Sequence, residues 1–182
     1  MGFGDRTVLR GGDDVSFFRK ENGMIFSFSI PGQPQGKAHA RTVRRGGKPI
    51  TYTPDRTVEY EELVRTAWRK KYGDRRVAHD GAALEVIVQA FYKTPKTNKA
   101  TKELMIRGEK RPTVKPDWDN IGKIVCDALN PVIDKQTKQI IFPGAWRDDA
   151  QVARALVEKW YSLHPRVDVY ISEIQPKKGD ES

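Results

Sequence analysis

The stretch Leu84–Tyr92, LEVIVQAFY, is the strongest strand signal in the chain: Val, Ile, Phe and Tyr dominate it, and Lys93-Thr94-Pro95 closes it. The surrounding sequence supplies both further strands and helices to pack with it. Residues Met24 to Ile30 (MIFSFSI) alternate as a strand that Pro31-Gly32 ends, and 152–161 and 166–174 read as two closing strands, with Val167, Val169 and Ile171 in alternation. Between them, Thr53-Pro54 offers a capping hydroxyl and a first-turn proline. Leu63, Val64, Ala67 and Trp68 then repeat at helical spacing up to Tyr72, and Gly73 stops the helix. Asn98 to Arg107 predicts a short polar helix. Trp118, Ile121, Val125, Ala128 and Leu129 mark a second apolar helical face, stopped by Asn130-Pro131. Both Trp68 and Trp118 are expected to face the core.

Strands around interposed helices make the fold class α+β, a single compact domain with a mixed β-sheet packed against helices over residues 23–174. A chain of 182 residues can bury one core and is short for two. Residues 1–22 are expected to form an N-terminal extension and 175–182 a flexible tail. No run approaches the roughly 20 apolar residues of a membrane span, no signal peptide is recognised, and the lone Cys126 suits a reducing cytoplasm, the expected location.

Lys and Arg number 33 against 24 Asp and Glu, a net charge of +9. That surplus favours a polyanion, nucleic acid or an anionic membrane face. Lys37, Arg41, Arg44, Arg45, Lys48 and Arg56 concentrate it, with only Asp55 opposing, and Arg44-Arg45-Gly46-Gly47-Lys48 reads as the tip of a loop or hairpin. This segment is either a nucleic-acid-binding surface or an exposed loop made basic for solubility. His39, His79 and His164 are scattered without metal-ligand spacing.

Inside this basic chain, Lys115-Pro116-Asp117-Trp118-Asp119-Asn120-Ile121-Gly122-Lys123-Ile124-Val125-Cys126-Asp127 is acidic at a helix start. Residues 119, 123 and 127 share one helix stripe. Two readings follow. Either Asp117 or Asp119 is an N-cap and Asp119–Lys123–Asp127 is a surface ion-pair ladder, or the carboxylates, with Asp148-Asp149 ahead of the later strand, make a site for a hard divalent cation.

The same residues carry a resemblance. KPDWDNIGKIVCDAL, followed by RDDAQV and Lys159, resembles the RusA family of Holliday-junction-resolving endonucleases, whose pattern is KPD-x-DN, a lysine three residues later, Asp-Ala-Leu, and then DD-x-Q with a further lysine. The N-terminal strand ending in Ile-Pro-Gly, the basic segment, and Tyr52-Thr53-Pro54 before a helix opening with Thr57 and Tyr60 agree with it. The resemblance implies a small α+β homodimer that cuts four-way DNA with Mg²⁺ (Mn²⁺ substituting), making paired symmetric nicks in DNA recombination and repair in a bacterial or phage-infected cell. It puts the essential acids on Asp117, Asp119 and Asp149, which are also the implied metal ligands, and the catalytic lysine on Lys123. Asp127 and Asp148 fall on motif positions without a settled role; Lys159 contacts phosphate or pairs with an acid; Asn120 and Gln151 are read as supporting groups. The chain departs from the pattern in a longer 130–147 segment, and in a sparser basic segment in which only Lys37 and Arg41 match. The competing functions are a non-catalytic branched-DNA-binding protein and a metal nuclease acting on flaps or RNA.

Overall fold

A computed structural model describes residues 24–38 and 40–175; the expected extension 1–22, His39 and the tail beyond residue 175 lie outside the described residues. The elements in chain order are β1 (Ile25–Pro31), β2 (Arg41–Arg45), β3 (Lys48–Tyr52), α1 (Asp55–Tyr72), β4 (Leu84–Lys93), α2 (Lys99–Ile106), α3 (Trp118–Leu129), β5 (Val132–Ile133), β6 (Ile140–Phe142), β7 (Val152–Ser162) and β8 (Arg166–Glu173). A single 3-10 turn, Asp149–Gln151, precedes β7. The fold is α+β, with a mixed sheet packed against helices.

The main sheet has the order β1-β8-β4-β7. β8 pairs antiparallel with both β1 and β4, whereas β4 and β7 run parallel. β4 is central, and every residue in it except Lys93 is buried, which is why it reads as a nearly unbroken apolar run. One face carries Phe26, Phe28 and Ile30 of β1, Leu84, Val86, Val88, Ala90 and Tyr92 of β4, and Val167, Val169 and Ile171 of β8. Tyr60, Val64 and Trp68 of α1 and Ile121, Ile124, Val125, Ala128 and Leu129 of α3 join them in one core. α1 and α3 pack on each other, and α3 also packs on β7. There Gly122 is needed for close approach: a Cβ on it would meet Val157 Cγ2 at 2.9 Å.

Local chemistry explains most boundaries. Pro31 sits in an edge strand, where no ladder donor is required. Gly73 ends α1 with φ +62° and donates its N–H to the Arg69 carbonyl. Asn98 caps α2 by accepting from Thr101 N at 2.8 Å. Thr53 does not cap α1: Pro54 occupies that position, with no side-chain cap bond. The β2–β3 hairpin turns through Gly46 and Gly47, both at positive φ, as a two-residue hairpin turn demands. The longer 130–147 segment is itself ordered. β5 and β6 form a small hairpin, Phe142 and Trp146 are buried, and Trp146 Nε1 donates to Asn130 Oδ1 at 2.7 Å.

Candidate active site

Two separate pieces of chain are fastened to the entrance of α3. From one side comes the 108–117 segment, held on β7. Arg111 donates from Nε to the Gly108 carbonyl and from a terminal nitrogen to the Lys159 carbonyl, each at 3.1 Å, and lies over the Trp160 ring. Lys159 Nζ donates to the carbonyls of Val114 and, at 3.1 Å, Pro116. From the other side, Gly36 lies so close that a Cβ on it would stand 2.6 Å from Pro116 Cβ, and Lys37 N donates to the Asn120 carbonyl at 2.8 Å. The chain that leads into the basic β2–β3 hairpin is therefore tied to the same helix start as the acidic motif.

At that entrance Asp117 occupies the N-cap position of α3 with extended backbone, yet its side chain makes no cap hydrogen bond. Its carboxylate instead pairs with Lys115, an ammonium that is 82% exposed. Asp119, in the first turn, and Lys123, one turn further on, are both exposed and carry no ion pair or side-chain hydrogen bond among the described residues. The structural reading is half met: Asp117 is the N-cap by position though not by a side-chain bond, and among the described residues Asp119, Lys123 and Asp127 form no ladder. Asp127 pairs with Lys37 at 3.1 Å.

That pair bears on two expectations. Lys37 is half-buried between Glu61 and Asp127, not on an open basic surface. Burial by itself would lower the pKa of its ammonium, but the hydrogen bonds it donates to Glu61 and Asp127, and their negative charges, outweigh it and hold the group above its ordinary value. Asp127, left open by the sequence, acts here as a structural partner. The remaining basic candidates divide. Arg44 and Lys48 on the hairpin and Arg56 in the first turn of α1 are exposed; Arg41 and Arg45 belong to β2 by their backbone, and their side chains lie outside the described set.

The second acidic pair is divided as well. Asp148 caps the 3-10 turn, its Oδ1 accepting from Ala150 N at 2.8 Å. Gln151 clamps the turn: its Nε2 donates to the carbonyls of His79 (3.3 Å) and Ala82 (3.1 Å), and its Oε1 accepts from Arg147 N (2.9 Å). Asp149, half-buried, is left without such a task, and the turn that carries it packs on α3. It lies near Cys126, whose thiol is pushed up to about 12 by burial first and then by the charges of Asp149 and Asp127.

Asp117 and Asp149 thus approach α3 at different points, Asp117 at its first turn beside Lys115 and Lys159, Asp149 beside Cys126. Among the described residues, no three His, Cys, Asp or Glu side chains are placed to share one ion. The chemistry of the donors nevertheless suits a hard cation. Asp117 already holds a cationic partner in Lys115, Asp119 is open, and Mg²⁺ commonly binds through one or two carboxylates together with substrate phosphate and water rather than in an all-protein cage.

Sequence reasoning placed Trp118 in the core, but it is 63% exposed, standing between Asp117 and the unpartnered Asp119. It also passed over Tyr92, which it read only as strand. Tyr92 lies on the helix-facing side of β4, and Lys159 Nζ is 5.3 Å from its ring centre. The available signal was a polar-tipped aromatic at the last apolar position before a strand end.

Comparison with known proteins adds two findings. The family model described as "Endodeoxyribonuclease RusA" matches residues 31–172. A protein of Bacillus subtilis (strain 168) described as "Uncharacterized protein YqaN" is 30% identical over 148 residues, which cover 81% of this chain and 95% of that one. No helix among the described residues is long and apolar enough to cross a membrane.

Proposed function

We propose, from the premise that this chain belongs to the RusA family of endodeoxyribonucleases, that it is a divalent-metal-dependent enzyme resolving four-way DNA junctions by paired symmetric nicks in recombination and repair. The observation that carries this reading is the state of the α3 entrance: Asp117 stands at a cap position without capping, and Asp119 and Lys123 stand one turn apart without pairing. Two unpartnered charged side chains, beside a carboxylate held only by the exposed Lys115, are what phosphodiester chemistry needs, and what a ladder would have consumed.

Cutting a phosphodiester requires in-line attack of water and relief of the charge that builds on the phosphate and the leaving oxygen. Asp117 and Asp119 would hold Mg²⁺ or Mn²⁺ together with substrate phosphate and water, while Asp149, the third acid the resemblance implies, stands beside Cys126 and does not join them in the resting arrangement; when bound, such an ion lowers the pKa of water and neutralises that charge. Lys123 directs an ammonium at the scissile phosphate, a fixed positive charge at the place where negative charge accumulates. Lys159 grips the Val114 and Pro116 carbonyls and so fixes the segment that presents Asp117. A carboxylate-lined entrance repels DNA. Arg44, Lys48 and Arg56 lie on elements connected to that entrance through Gly36 and Lys37, and they draw the phosphate backbone in. A twofold-symmetric homodimer would place two such entrances on symmetry-related strands.

The experiment is a synthetic four-way junction incubated with the protein, with and without Mg²⁺. Paired symmetric nicks that require the ion, and that are not matched on flaps or single strands, are the expected result. Binding without cutting under Mg²⁺ or Mn²⁺ would reduce the protein to a junction-binding module, and equal cutting of flaps would widen its substrate class.

A further inference from the structure

Tyr92 Oη is buried and has no hydrogen-bond partner among the described residues, in a residue only 7% exposed. A buried hydroxyl left unpaired destabilises a fold, so its persistence calls for a reason outside the resting hydrogen bonds. Tyr60 Oη and the indoles of Trp68 and Trp160 are equally unpartnered, but their surroundings differ: the Tyr60 phenol faces the Gln35 backbone. Trp68 lies in an aromatic cluster with Phe26, Phe28 and Tyr72, and Trp160 lies under Arg111. Tyr92 sits beneath the α3 entrance. Lys159, whose Nζ is 5.3 Å from the Tyr92 ring centre, also holds the Pro116 carbonyl next to Asp117. Burial, and after it the charge of Asp117, push the phenol up to about 12, so near neutral pH it is a donor. The acid whose charge reaches the phenol is Asp117, at present turned to the exposed Lys115.

We propose that Tyr92 is a positioning residue for Asp117: its hydroxyl donates to the carboxylate once Asp117 leaves Lys115, and so fixes the direction in which the carboxylate faces phosphate and cation. This rests on the nuclease reading above. The unpaired hydroxyl is then a cost carried by the resting fold and recovered in the working site.

Tyr92→Phe tests it, because the ring, its packing and its contact with Lys159 are kept while only the oxygen is lost. If the hydroxyl serves Asp117, the variant melts at the same temperature or higher and binds junction DNA with unchanged Kd. It nicks with kcat lowered about ten-fold, the loss of one hydrogen bond to a charged group, and needs more Mg²⁺ for half-maximal rate. Unchanged kcat in a variant at least as stable as the parent overturns the inference and leaves the nuclease reading standing. A lowered melting temperature also overturns it, since the hydroxyl would then be structural. If the parent protein itself fails to nick a junction with Mg²⁺ or Mn²⁺, the nuclease reading falls and this inference with it.

Discussion

The two ends of α3 use aspartate in opposite ways. At the exit, Asp127 is half-buried and meets Lys37 at 3.1 Å, in a group completed by Glu61; the helix there is walled by Ala128 and Leu129, both fully buried. At the entrance, Asp117 leaves its cap position unused and Asp119 has no partner among the described residues, with Trp118 exposed between them. A carboxylate that stabilises a fold is neutralised close by, as Asp127 is. At the entrance Asp119 is left open and Asp117 is held only by the exposed Lys115, on a helix end that tolerates negative charge. On the proposed reading, that difference separates residues that hold the molecule together from residues that act.

That contrast can be broken at either end. The larger effect on stability belongs at the exit: Asp127→Asn removes one partner from the Lys37 group and is expected to cost about 1 kcal/mol, a fall in melting temperature of roughly 2–4 °C for a chain of this size. Junction cleavage should stay within about two-fold. A large loss of cleavage without a loss of stability would move Asp127 into the reacting group. At the entrance, Trp118→Ala should change the urea midpoint by no more than about 0.5 kcal/mol equivalent, because an exposed ring buries little. A loss of several kcal/mol would show that the ring packs against something in solution, such as a second copy of the chain.

The sequence made the framework legible where periodicity had one meaning. Leu84–Tyr92, the β1 and β8 alternations and the apolar stripe of α3 each bury the face their pattern shows. The Gly46-Gly47 hairpin and the Gly73 stop followed from backbone freedom that only glycine supplies cheaply. Periodicity misled at Trp118, because the first residue of a helix can continue an apolar stripe in sequence and still lie beyond the edge of the core it covers; Trp68, in mid-helix, is fully buried as expected. Charge pairing was harder to foresee. The i,i+4 spacing of Asp119, Lys123 and Asp127 suggested a ladder, but Asp127 is taken by Lys37, some ninety positions earlier in the chain. The β5–β6 hairpin was read only as added length, since two and three residues per strand are too short to show alternation. The motif residues are marked by spacing and resemblance, while the unpaired hydroxyl of Tyr92, a property of three-dimensional neighbours, leaves no mark in the pattern.

The central claim is that Asp117 and Asp119 serve chemistry and not the fold. The most direct measurement is the melting temperature, junction affinity and junction cleavage of the Asp117→Asn/Asp119→Asn double variant, taken side by side on one preparation. The account predicts melting temperature and affinity equal to or above those of the parent, with cleavage in Mg²⁺ reduced about a thousand-fold or more, the several kcal/mol that charge neutralisation at the phosphate supplies. A variant that melts several degrees lower while cutting junctions at the parent's rate would contradict it.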